Sequence, residues 1–395
     1  MTSIGLDLGT GAIKGVCWNQ EKGVLKKVSE RVSFCYPGSW RVELDVEVYK
    51  QQIFRLIKDL AEASQEEIFA ISFAAASGNT LLCDADGEAL TPIISWLDKR
   101  LEDWLPPEKW QVRQSTGWPA IPTFPLMHLE YFRREKSELL NSAHVAMNND
   151  WIAWQLCGTH QLDRSNAAPF YFWNQEQERY ENAYLEYYGI TRKQLPEIVP
   201  TGTVSGTLKK ELCRGNLTVN TRIVAGSFDH PAGARAVKVF EPGEMLLSCG
   251  TSWVGFYPCR KRDDVPFNEL CDTYQSAAGG CWGAMFSIPE VGVEIERFIC
   301  DRFGNCAERY EKFNAEAQAG DTPSRKVMCS VIDRFKTRFD EHSGIRRVVI
   351  SGGPSEGRMW IELLREKLGI QIDVAPWHSY TGAVGAAQIA GAVVK

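Results

Sequence analysis

The alternation of apolar and polar positions at the start of the chain predicts a β-hairpin. Apolar residues recur at every second position over residues 4–8, which is the period of a strand with one buried face. A Gly-Thr-Gly turn follows at residues 9–11, and a second apolar stretch covers residues 13–18. The same order of strand, Gly-Thr turn and strand returns at residues 245–257. This duplication predicts two domains of related design.

The remaining periodic segments alternate between strand and helix. Short apolar runs predict strands at residues 28–34, 68–73, 80–83, 222–226, 282–287, 347–350 and 370–375. Apolar residues at helical spacing predict helices after the capping residues Asp45 and Asp150, at residues 290–303, 307–318, 325–340 and 358–368, and from about residue 381. We therefore expect an α/β protein with mixed sheets, in which one domain covers residues 1–221 and the other covers residues 222–395.

Length and composition narrow the class of protein. The chain has 395 residues, enough for two domains, and its net charge of −6 argues against a nucleic-acid or anionic-membrane partner. No apolar run has the length of a transmembrane helix, and the N-terminus lacks the features of a signal peptide. The twelve cysteines form no Cys-x-x-Cys motif, so we expect reduced thiols in a cytoplasmic protein.

The turn of the first hairpin has the composition of a phosphate-binding loop. Gly9, Thr10 and Gly11 let backbone N–H groups approach a phosphate, and Lys14 adds a positive charge. Asp7, at the end of the preceding strand, could hold the metal ion that accompanies a nucleotide. The alternative is an ordinary hairpin with a surface lysine.

Two later glycine sites extend this pattern. Gly250 and Thr251 form the turn of the second hairpin, where backbone amides suit a second phosphate contact. Gly352 and Gly353 lie between a predicted strand and the predicted helix at 358–368, and a helix N-terminus favours anions. We interpret this junction as a contact for adenosine or its α-phosphate.

Asp229 is the candidate for chemistry. It follows the predicted strand at 222–226 and precedes a small-residue helix, and a carboxylate there suits a general base that accepts the proton of a substrate hydroxyl. The alternative is that Asp229 only caps the helix. The neighbouring His230 has no visible partner in the sequence, and we do not expect it to act as a second base.

Polar residues after the strand-like segment 92–94 suit a hydroxylated ligand. Asp98 and Arg100 place hydrogen-bonding groups close to Trp96 in the sequence. The alternative is a structural ion pair between the two charged side chains. The sequence leaves both possibilities open.

Taken in order, these segments resemble the FGGY carbohydrate kinases of the actin/hexokinase/heat-shock ATPase superfamily. The resemblance spans nearly the whole chain. Its motifs are Asp-Leu-Gly-Thr-Gly at 7–11 with Lys14, residues 71–84, Trp-Leu-Asp-Lys-Arg at 96–100, residues 149–159, Asp-Arg-Ser-Asn-Ala at 163–167, Ala-Gly-Ser-Phe-Asp at 225–229, Pro-Gly at 242–243, Gly-Thr-Ser at 250–252, Gly-Gly at 352–353 with Trp360, and Gly-Ala-Ala at 385–387.

The resemblance implies a fold and an activity. The family has two ribonuclease-H-like domains, with mixed sheets flanked by helices, that close over an inter-domain cleft holding ATP and Mg²⁺. It transfers the γ-phosphoryl group of ATP to a hydroxyl group of a sugar or polyol. Carried over to this chain, the family's catalytic base falls on Asp229, which thereby contacts the substrate, and its metal-linked acid falls on Asp7.

The same correspondence places the family's nucleotide and sugar contacts on further residues of this chain. The nucleotide-binding residues are then Gly9, Thr10, Gly11, Lys14, Gly250, Thr251, Gly352 and Gly353. The substrate side comprises Asp98, Arg100 and Asn79. Asn79 belongs to a segment, residues 76–79, that stands where many members have glutamine followed by a polar or basic residue.

The chain departs from the family in a second place. A long segment with a Gly-Glu-Arg-x-Pro signature is absent, and only residues 304–324 bridge the corresponding gap. We therefore keep three hypotheses: a kinase for a pentulose such as xylulose, or else for a polyol or aldonate; a non-catalytic sugar or nucleotide sensor; and an actin-type or chaperone-type ATPase that needs no sugar. We also allow for a homodimer.

Overall fold

The computed structural model describes residues 1–276 and 280–394. These residues form two compact units. Unit 1 comprises Met1–Ala232, Phe267–Thr273 and Gly382–Lys395, and unit 2 comprises Gly233–Pro266 and Tyr274–Thr381. Unit 1 is therefore built from segments that are distant in the sequence, whereas only Phe267–Thr273 separates the two segments of unit 2.

The chain forms both strands and helices, as the sequence predicts. The strands are β1 (Thr2–Leu8), β2 (Ala12–Asn19), β3 (Gly23–Arg31), β4 (Glu43–Leu44), β5 (Ile68–Ala75), β6 (Thr80–Cys83), β7 (Ile93–Ile94), β8 (His144–Met147), β9 (Gln161–Asp163), β10 (Trp173–Asn174), β11 (Arg179–Tyr180), β12 (Glu197–Val199), β13 (Val204–Thr207), β14 (Arg222–Phe228), β15 (Glu244–Cys249), β16 (Trp253–Cys259), β17 (Leu270–Asp272), β18 (Trp282–Ile288), β19 (Arg347–Gly352) and β20 (Gln371–Val374).

The α-helices vary from single turns to more than four turns. They are α1 (Val46–Ala61), α2 (Val112–Thr116), α3 (Pro125–Glu135), α4 (Ser137–Ser142), α5 (Asn148–Cys157), α6 (Arg164–Phe170), α7 (Asn182–Tyr188), α8 (Asp229–Ala236), α9 (Val291–Phe303), α10 (Arg309–Gln318), α11 (Pro323–Phe339), α12 (Arg358–Leu368) and α13 (Thr381–Gly391). In the described part of the chain, none of them combines the length and apolar character that crossing a membrane requires.

The central sheet of unit 1 is mixed. Its strands run in the order β13-β14-β5-β1-β2-β3. The pairs β1–β2, β2–β3 and β13–β14 are antiparallel, whereas β5 pairs in parallel with both β1 and β14. The carboxyl ends of β1, β5 and β14 therefore meet at one edge of the sheet, which is where open α/β sheets bind ligands. Smaller sheets complete unit 1, in the orders β4-β7-β6-β8, β12-β9 and β10-β11.

The position of β14 differs from the domain boundary that the sequence predicts between residues 221 and 222. The strand pairs in parallel with β5, for example with Ile223 opposite Ile71, and unit 1 continues to Ala232. A Pro-rich connector at residues 195–202 suggests that a new domain begins after it. The strand nevertheless pairs with a partner about 150 residues earlier, and no local pattern reveals that pairing.

Helix α1 packs on the sheet of unit 1 as its apolar spacing predicts. The side chain of Asp45 accepts a hydrogen bond from the N–H of Val48 at 2.9 Å and caps the helix. Its buried face, which shares an apolar cluster with β1, includes Tyr49, Ile53, Leu56, Ile57 and Leu60. Since each buried Ile or Leu side chain contributes roughly 1.5–3 kcal/mol, this face fixes α1 against the sheet.

Helix α5 begins before the residue that the sequence proposes as its cap. The helix covers Asn148–Cys157, and the carboxylate of Asp150 accepts a hydrogen bond from the N–H of Met147 at 2.8 Å. Asp150 therefore lies in the first turn and reaches back to the residue before the helix. This is the role of the third residue of a capping box and not of the cap itself.

The last helix packs directly on β1. A Cβ atom at Gly5 would lie 2.1 Å from the carbonyl oxygen of Ala383 and 2.2 Å from the backbone nitrogen of Ala387. Only glycine permits so close an approach of a strand to a helix backbone. The first turn of α13 therefore lies close to the carboxyl end of β1, at the same edge of the sheet as the end of β14.

Unit 2 repeats this strand order. Five strands of its sheet run in the order β18-β16-β15-β19-β20, with β15–β16 antiparallel and with β15–β19 and β19–β20 parallel. The corresponding order in unit 1 is β3-β2-β1-β5-β14. The structure thus confirms the duplicated hairpin that the sequence predicts, and it also confirms the predicted helices α9, α10, α11 and α12.

Candidate active site

Asp7 and Asp229 lie at the same edge of the sheet in unit 1. Asp7 is opposite Ala74 in the β1–β5 register, and Ser227 is opposite Ala74 in the β14–β5 register. Asp229 begins α8, two residues after Ser227. The pairing on both sides of β5 therefore brings together two carboxylates that are 222 positions apart in the sequence.

A register shift in β14 precedes Asp229. The pairing with β5 is irregular between Val224 and Ser227. Gly226 lies inside this irregularity, and a Cβ atom there would come within 1.8 Å of the carbonyl oxygen of Phe73. Such irregularities redirect the residues that follow them and are common beside active sites. Here the shift sets the direction in which the chain leaves the sheet at Asp229.

The surroundings of Asp229 favour proton exchange near neutral pH. Burial raises the pKa of Asp229 to about 7, and backbone hydrogen bonds, led by that from His230, only partly oppose this. The N–H of His230 donates to Oδ1 of Asp229 at 2.7 Å, and the side chain of Asp229 remains 20% exposed. A carboxylate that is held in place, is partly accessible and titrates near pH 7 has the properties of a general base.

His230 itself stays neutral in this setting. Burial lowers the pKa of its imidazole to about 4, although the charge of Asp7 opposes that change. The imidazole Nε2 lies 3.6 Å from Oδ1 of Asp229. An imidazole with a pKa of about 4 is a weak proton acceptor at neutral pH, and the absence of a second base at His230 stays a prediction.

Asp7 is a half-buried carboxylate, and its Oδ1 atom is buried. Burial, followed by the negative charge of Asp229, raises the pKa of Asp7 to about 7, whereas the positive charge of Lys14 lowers it. Lys14 is the residue opposite Asp7 in the β1–β2 register. Within residues 1–276 and 280–394, Oδ1 of Asp7 has no hydrogen-bond partner. Such an oxygen is available to a cation or to a water bound to one.

These features fit a site for Mg²⁺ that depends on a single protein carboxylate. Among the described residues no three His, Cys, Asp or Glu side chains form a group that could hold a metal ion. Mg²⁺ commonly binds through one or two carboxylates together with water and substrate phosphates. The unsatisfied oxygen of Asp7 suits that mode, and a bound cation would also favour the ionised carboxylate.

The predicted first phosphate loop connects β1 and β2. The two strands pair up to Leu8 and Ile13, so Gly9, Thr10 and Gly11 form the turn at the end of the ladder. A Cβ atom at Gly11 would meet nothing within 4 Å, so the backbone at this point of the turn is open on one side. The loop therefore lies at the same sheet edge as Asp7, with its N–H groups in a turn that can receive an anion.

Trp96 forms a hydrogen bond with this loop and also contacts the segment that the sequence assigns to the substrate. Its indole N–H donates a hydrogen bond to Oγ1 of Thr10 at 2.9 Å, and its backbone N–H donates to Oδ1 of Asn79 at 3.0 Å. Asn79 is buried. The structure thus brings the predicted substrate residue Asn79 and the predicted phosphate residue Thr10 into contact with one tryptophan.

Asp98 and Arg100 form the ion pair that the sequence left as the alternative to a substrate contact. Arg100 donates from Nε to Oδ1 of Asp98 and from Nη2 to Oδ2, both at 2.8 Å, and it also donates to Glu43 at 2.6 Å. Burial tends to raise the pKa of Asp98, but hydrogen bonds from the Arg100 side chain and from the backbone of Arg100 and Val42 lower it below its usual value. The Asp98 carboxylate and the Arg100 guanidinium therefore form an ion pair with each other.

The predicted second phosphate loop connects β15 and β16 in unit 2. The strands pair up to Cys249 and Trp253, and the N–H of Gly292 at the start of α9 donates to the carbonyl of Thr251 at 2.9 Å. A cavity of about 490 Å³ opens beside this turn. Its lining comprises Gly250, Thr251, Gly292, Val293, Glu296 and Arg297.

The predicted adenosine site lies at the same edge of the sheet in unit 2. Gly352 ends β19 and is opposite Cys249, the last residue of β15. Gly353 follows in a 3₁₀ turn that ends at Glu356, so the turn intervenes between the glycine pair and α12. The parallel register therefore brings the Gly-Gly site close to Gly250, and their joint role in nucleotide binding stays a prediction.

Some residues of these sites carry no signal in the sequence. The contact of Trp96 with Thr10, the three hydrogen bonds of Ser165 beside Asp229, and Gly382 beside Asp7 all depend on segments that meet only in the folded chain. A Cβ atom at Gly382 would lie 2.6 Å from Oδ2 of Asp7. The small residues of the last helix are the one local pattern that hints at such close packing.

Curated proteins of known activity are similar to this chain over about two thirds of its length. Xylulose kinase of Escherichia coli (strain K12) is 27% identical over 262 residues, which cover 64% of this chain and 53% of that protein. Gluconokinase of Bacillus subtilis (strain 168) is 26% identical over 262 residues, which cover 64% of this chain and 51% of that protein. The chain thus spans about half the length of the curated relatives it matches.

Solved structures identify the fold of this chain, and a family model identifies its family. Gluconate kinase from Lactobacillus acidophilus matches with a TM-score of 0.86 at 18% identity, over 100% of this chain and 89% of that chain. The ligand-bound xylulose kinase from the same organism matches with a TM-score of 0.84 at 18% identity and the same coverage, and these likenesses confirm the predicted fold class. The model described as the FGGY family of carbohydrate kinases, N-terminal domain, matches residues 2–235. The chain therefore belongs to the FGGY family of carbohydrate kinases.

Proposed function

We propose that this chain is an ATP-dependent kinase that phosphorylates a hydroxyl group of a small sugar or polyol. The observation that carries the proposal is the placement of Asp229. It is a partly accessible carboxylate whose pKa is about 7, at the carboxyl edge of parallel strands and within electrostatic reach of Asp7. Family membership and the names of the relatives support the same activity.

Asp229 acts in this proposal as the general base. Its carboxylate accepts the proton of the substrate hydroxyl while the hydroxyl oxygen bonds to the γ-phosphorus of ATP and the bond from that phosphorus to ADP breaks. The proton leaves Asp229 for water after the phosphorylated sugar departs. The hydrogen bond from the His230 N–H to Oδ1 orients the carboxylate.

Other residues of the proposed site supply or hold positive charge for the phosphates of ATP. Bound Mg²⁺ would supply positive charge that neutralises the phosphates during transfer. Asp7 would hold it through Oδ1, and Lys14 adds a second positive charge at the same sheet edge. Further nucleotide contacts are assigned to backbone groups at Gly9, Thr10, Gly11, Gly250, Thr251, Gly352 and Gly353.

A xylulose-like pentulose is our first candidate for the substrate, and an aldonate or polyol is the second. The support is that one relative is named a xylulose kinase and another a gluconokinase. On the substrate side we propose Asn79 as a direct sugar contact. We propose that Asp98 and Arg100, whose charges are paired with each other, shape the loop that carries Trp96.

A coupled assay of ADP release tests the proposal across pentuloses, hexuloses, polyols and aldonates. Asp229→Asn removes the base and preserves its size, and Asp86→Asn, at an exposed turn residue, is the matched control. We expect one sugar class to stimulate ADP release in the wild-type protein and in the control. We expect Asp229→Asn to lower this rate by about 10²–10⁴-fold, with nucleotide binding little changed.

Two outcomes would contradict the proposal. ADP release that no sugar stimulates would favour an ATPase. Binding of a sugar and of ATP by calorimetry without any turnover would favour a sensor built on the kinase fold.

A further inference from the structure

The hydroxyl group of Ser165 joins two elements next to Asp229. Ser165 lies in the first turn of α6 and is 2% exposed. It donates a hydrogen bond to Oδ2 of Asp272 at 2.6 Å. It accepts hydrogen bonds from the N–H of Phe228 at 3.1 Å and from the hydroxyl of Ser227 at 3.2 Å. Phe228 is the residue directly before Asp229.

These three hydrogen bonds use the full capacity of a serine hydroxyl. A hydroxyl has one proton to donate and two lone pairs that can accept. Asp272 is fully buried, and its carboxylate accepts the hydrogen bond that the Ser165 hydroxyl donates. Both lone pairs of Ser165 consequently face the end of β14. Asp272 thus sets the direction of the hydroxyl, and the hydroxyl holds the backbone that leads to Asp229.

The helix that carries Ser165 does not need this side chain as its cap. Asp163 caps α6, because its side chain accepts a hydrogen bond from the N–H of Asn166 at 2.8 Å. The register shift between Val224 and Ser227 disturbs the β14–β5 ladder just before the same point. The N–H of Phe228 therefore finds its partner in Ser165, at the place where the chain turns from strand into α8.

We propose that Ser165, oriented by Asp272, is a positioning residue that fixes the place of the general base Asp229. This inference rests on the proposed function in so far as Asp229 is the base. Ser165 contributes no proton to the reaction and does not contact the transferred group. It acts by satisfying the buried amide of Phe228, so that the first residue of α8 leaves the sheet in one direction only.

Kinetics of matched variants test the catalytic side of the proposal. Ser165→Ala removes the hydroxyl, and Ser165→Thr restores it. Ser72→Ala in β5 is the control, because Ser72 is equally buried and its hydroxyl has no hydrogen-bond partner among the described residues. We expect Ser165→Ala to lower kcat by about 10- to 100-fold with little change in either KM, since small misplacements of a catalytic group have effects of this size. We expect Ser165→Thr to restore most of kcat.

Hydrogen exchange tests the same inference without any activity. We expect the amide hydrogens of residues 222–232 to exchange faster in Ser165→Ala than in the wild-type protein or in Ser72→Ala, as measured by mass spectrometry on the folded chain. If Ser165→Ala does not fold, Ser165→Cys replaces it, because a thiol of similar size is a much weaker acceptor.

Three results would overturn the proposal: unchanged exchange at residues 222–232, a kcat equal to that of Ser72→Ala, or equally slow Ala and Thr variants. A wild-type protein that phosphorylates no sugar would refute the proposed function alone. The exchange experiment would then still decide whether Ser165 holds the segment before Asp229.

Discussion

The indole N–H of Trp96 donates a hydrogen bond to Oγ1 of Thr10, with 2.9 Å between the two atoms. The backbone N–H of the same tryptophan is held by the side chain of Asn79. Trp96 therefore contacts both the segment proposed to meet the sugar and the loop proposed to meet the phosphates, within unit 1. We therefore expect a displacement of either segment to affect the other through Trp96.

Removing the indole N–H should weaken this connection. Trp96→Phe keeps an aromatic ring but loses the donor to Thr10, and an ordinary hydrogen bond contributes about 0.5–1.5 kcal/mol. We therefore expect the KM for ATP to rise by about 2- to 10-fold. Steady-state kinetics at saturating sugar measure the effect, with Trp40→Phe, at a residue 66% exposed, as the control. An ATP KM that is the same in both variants would show that the hydrogen bond has no role in holding the loop.

The raised pKa of Asp7 should make stability depend on pH. Its pKa is about 7 in the folded protein against the ordinary value of 3.8. Between about pH 4 and pH 7 the Asp7 carboxyl binds more protons in the folded protein than in the unfolded chain, so the free energy of unfolding falls as the pH rises. The stability linked to the protonated carboxyl is fully present below about pH 4 and is lost as the pH rises through about 7. Asp7→Asn cannot ionise and should avoid the loss. Because water reaches part of the Asp7 side chain, we expect the free energy of unfolding of Asp7→Asn to gain roughly 1–2 kcal/mol on that of the wild-type protein as the pH rises.

Unfolding in urea, measured for both proteins at about pH 5 and about pH 8, checks this. Asp7→Asn should gain stability relative to the wild-type protein as the pH rises. A difference between the two proteins that does not change with pH would refute the electrostatic argument, whatever the chain catalyses.

Gly382 should tolerate no side chain. A Cβ atom there would lie 2.6 Å from Oδ2 of Asp7, so Gly382→Ala must displace either the carboxylate or the first turn of α13. We expect kcat to fall by about 10-fold or more, because displacements near 1 Å have effects of this order. Gly391→Ala in the same helix, where the nearest atom is 3.5 Å away, should leave kcat unchanged. Equal activity of the two variants would show that Asp7 has room to move.

Asp98→Asn separates the two interpretations of the Asp98–Arg100 pair. The Asp98 side chain is fully buried and that of Arg100 is 5% exposed, and breaking such a buried pair typically costs roughly 3–5 kcal/mol of folding free energy. A structural role therefore predicts a large loss of stability in urea unfolding. A direct sugar contact instead predicts a higher sugar KM with little loss. Asp59→Asn, at a carboxylate 51% exposed and paired with Lys26, controls for the loss of a charge.

Features with local signals could be predicted from the sequence. The two hairpins and α1 follow from periodicity, and Asp45 caps α1 as its position before the apolar repeat suggests. Family resemblance adds the candidate roles of Asp7 and Asp229. The structure explains why these two residues lie close together, because parallel pairing on both sides of β5 brings them to one edge of the sheet.

Features that depend on distant pairing could not be predicted. The strand β14 follows a Pro-rich connector, yet it pairs with β5 far earlier in the chain. Ser165 and Asp272 are separated by 107 positions, and nothing in the residues around either one indicates a contact. A serine and an aspartate in unrelated segments are compatible with many surroundings, so only the folded chain identifies the hydrogen bond.

The backbone contact of Gly5 with α13 has a consequence for the order of events during synthesis. β1 leaves the ribosome long before α13, the helix that covers it, which begins at Thr381. Unit 2 consists almost entirely of residues made between these two points. The surface of β1 that receives α13 must therefore remain uncovered by its native neighbour until the rest of the sheet-forming segments have been translated. While it is uncovered, this surface of the nascent chain needs protection from non-native contacts.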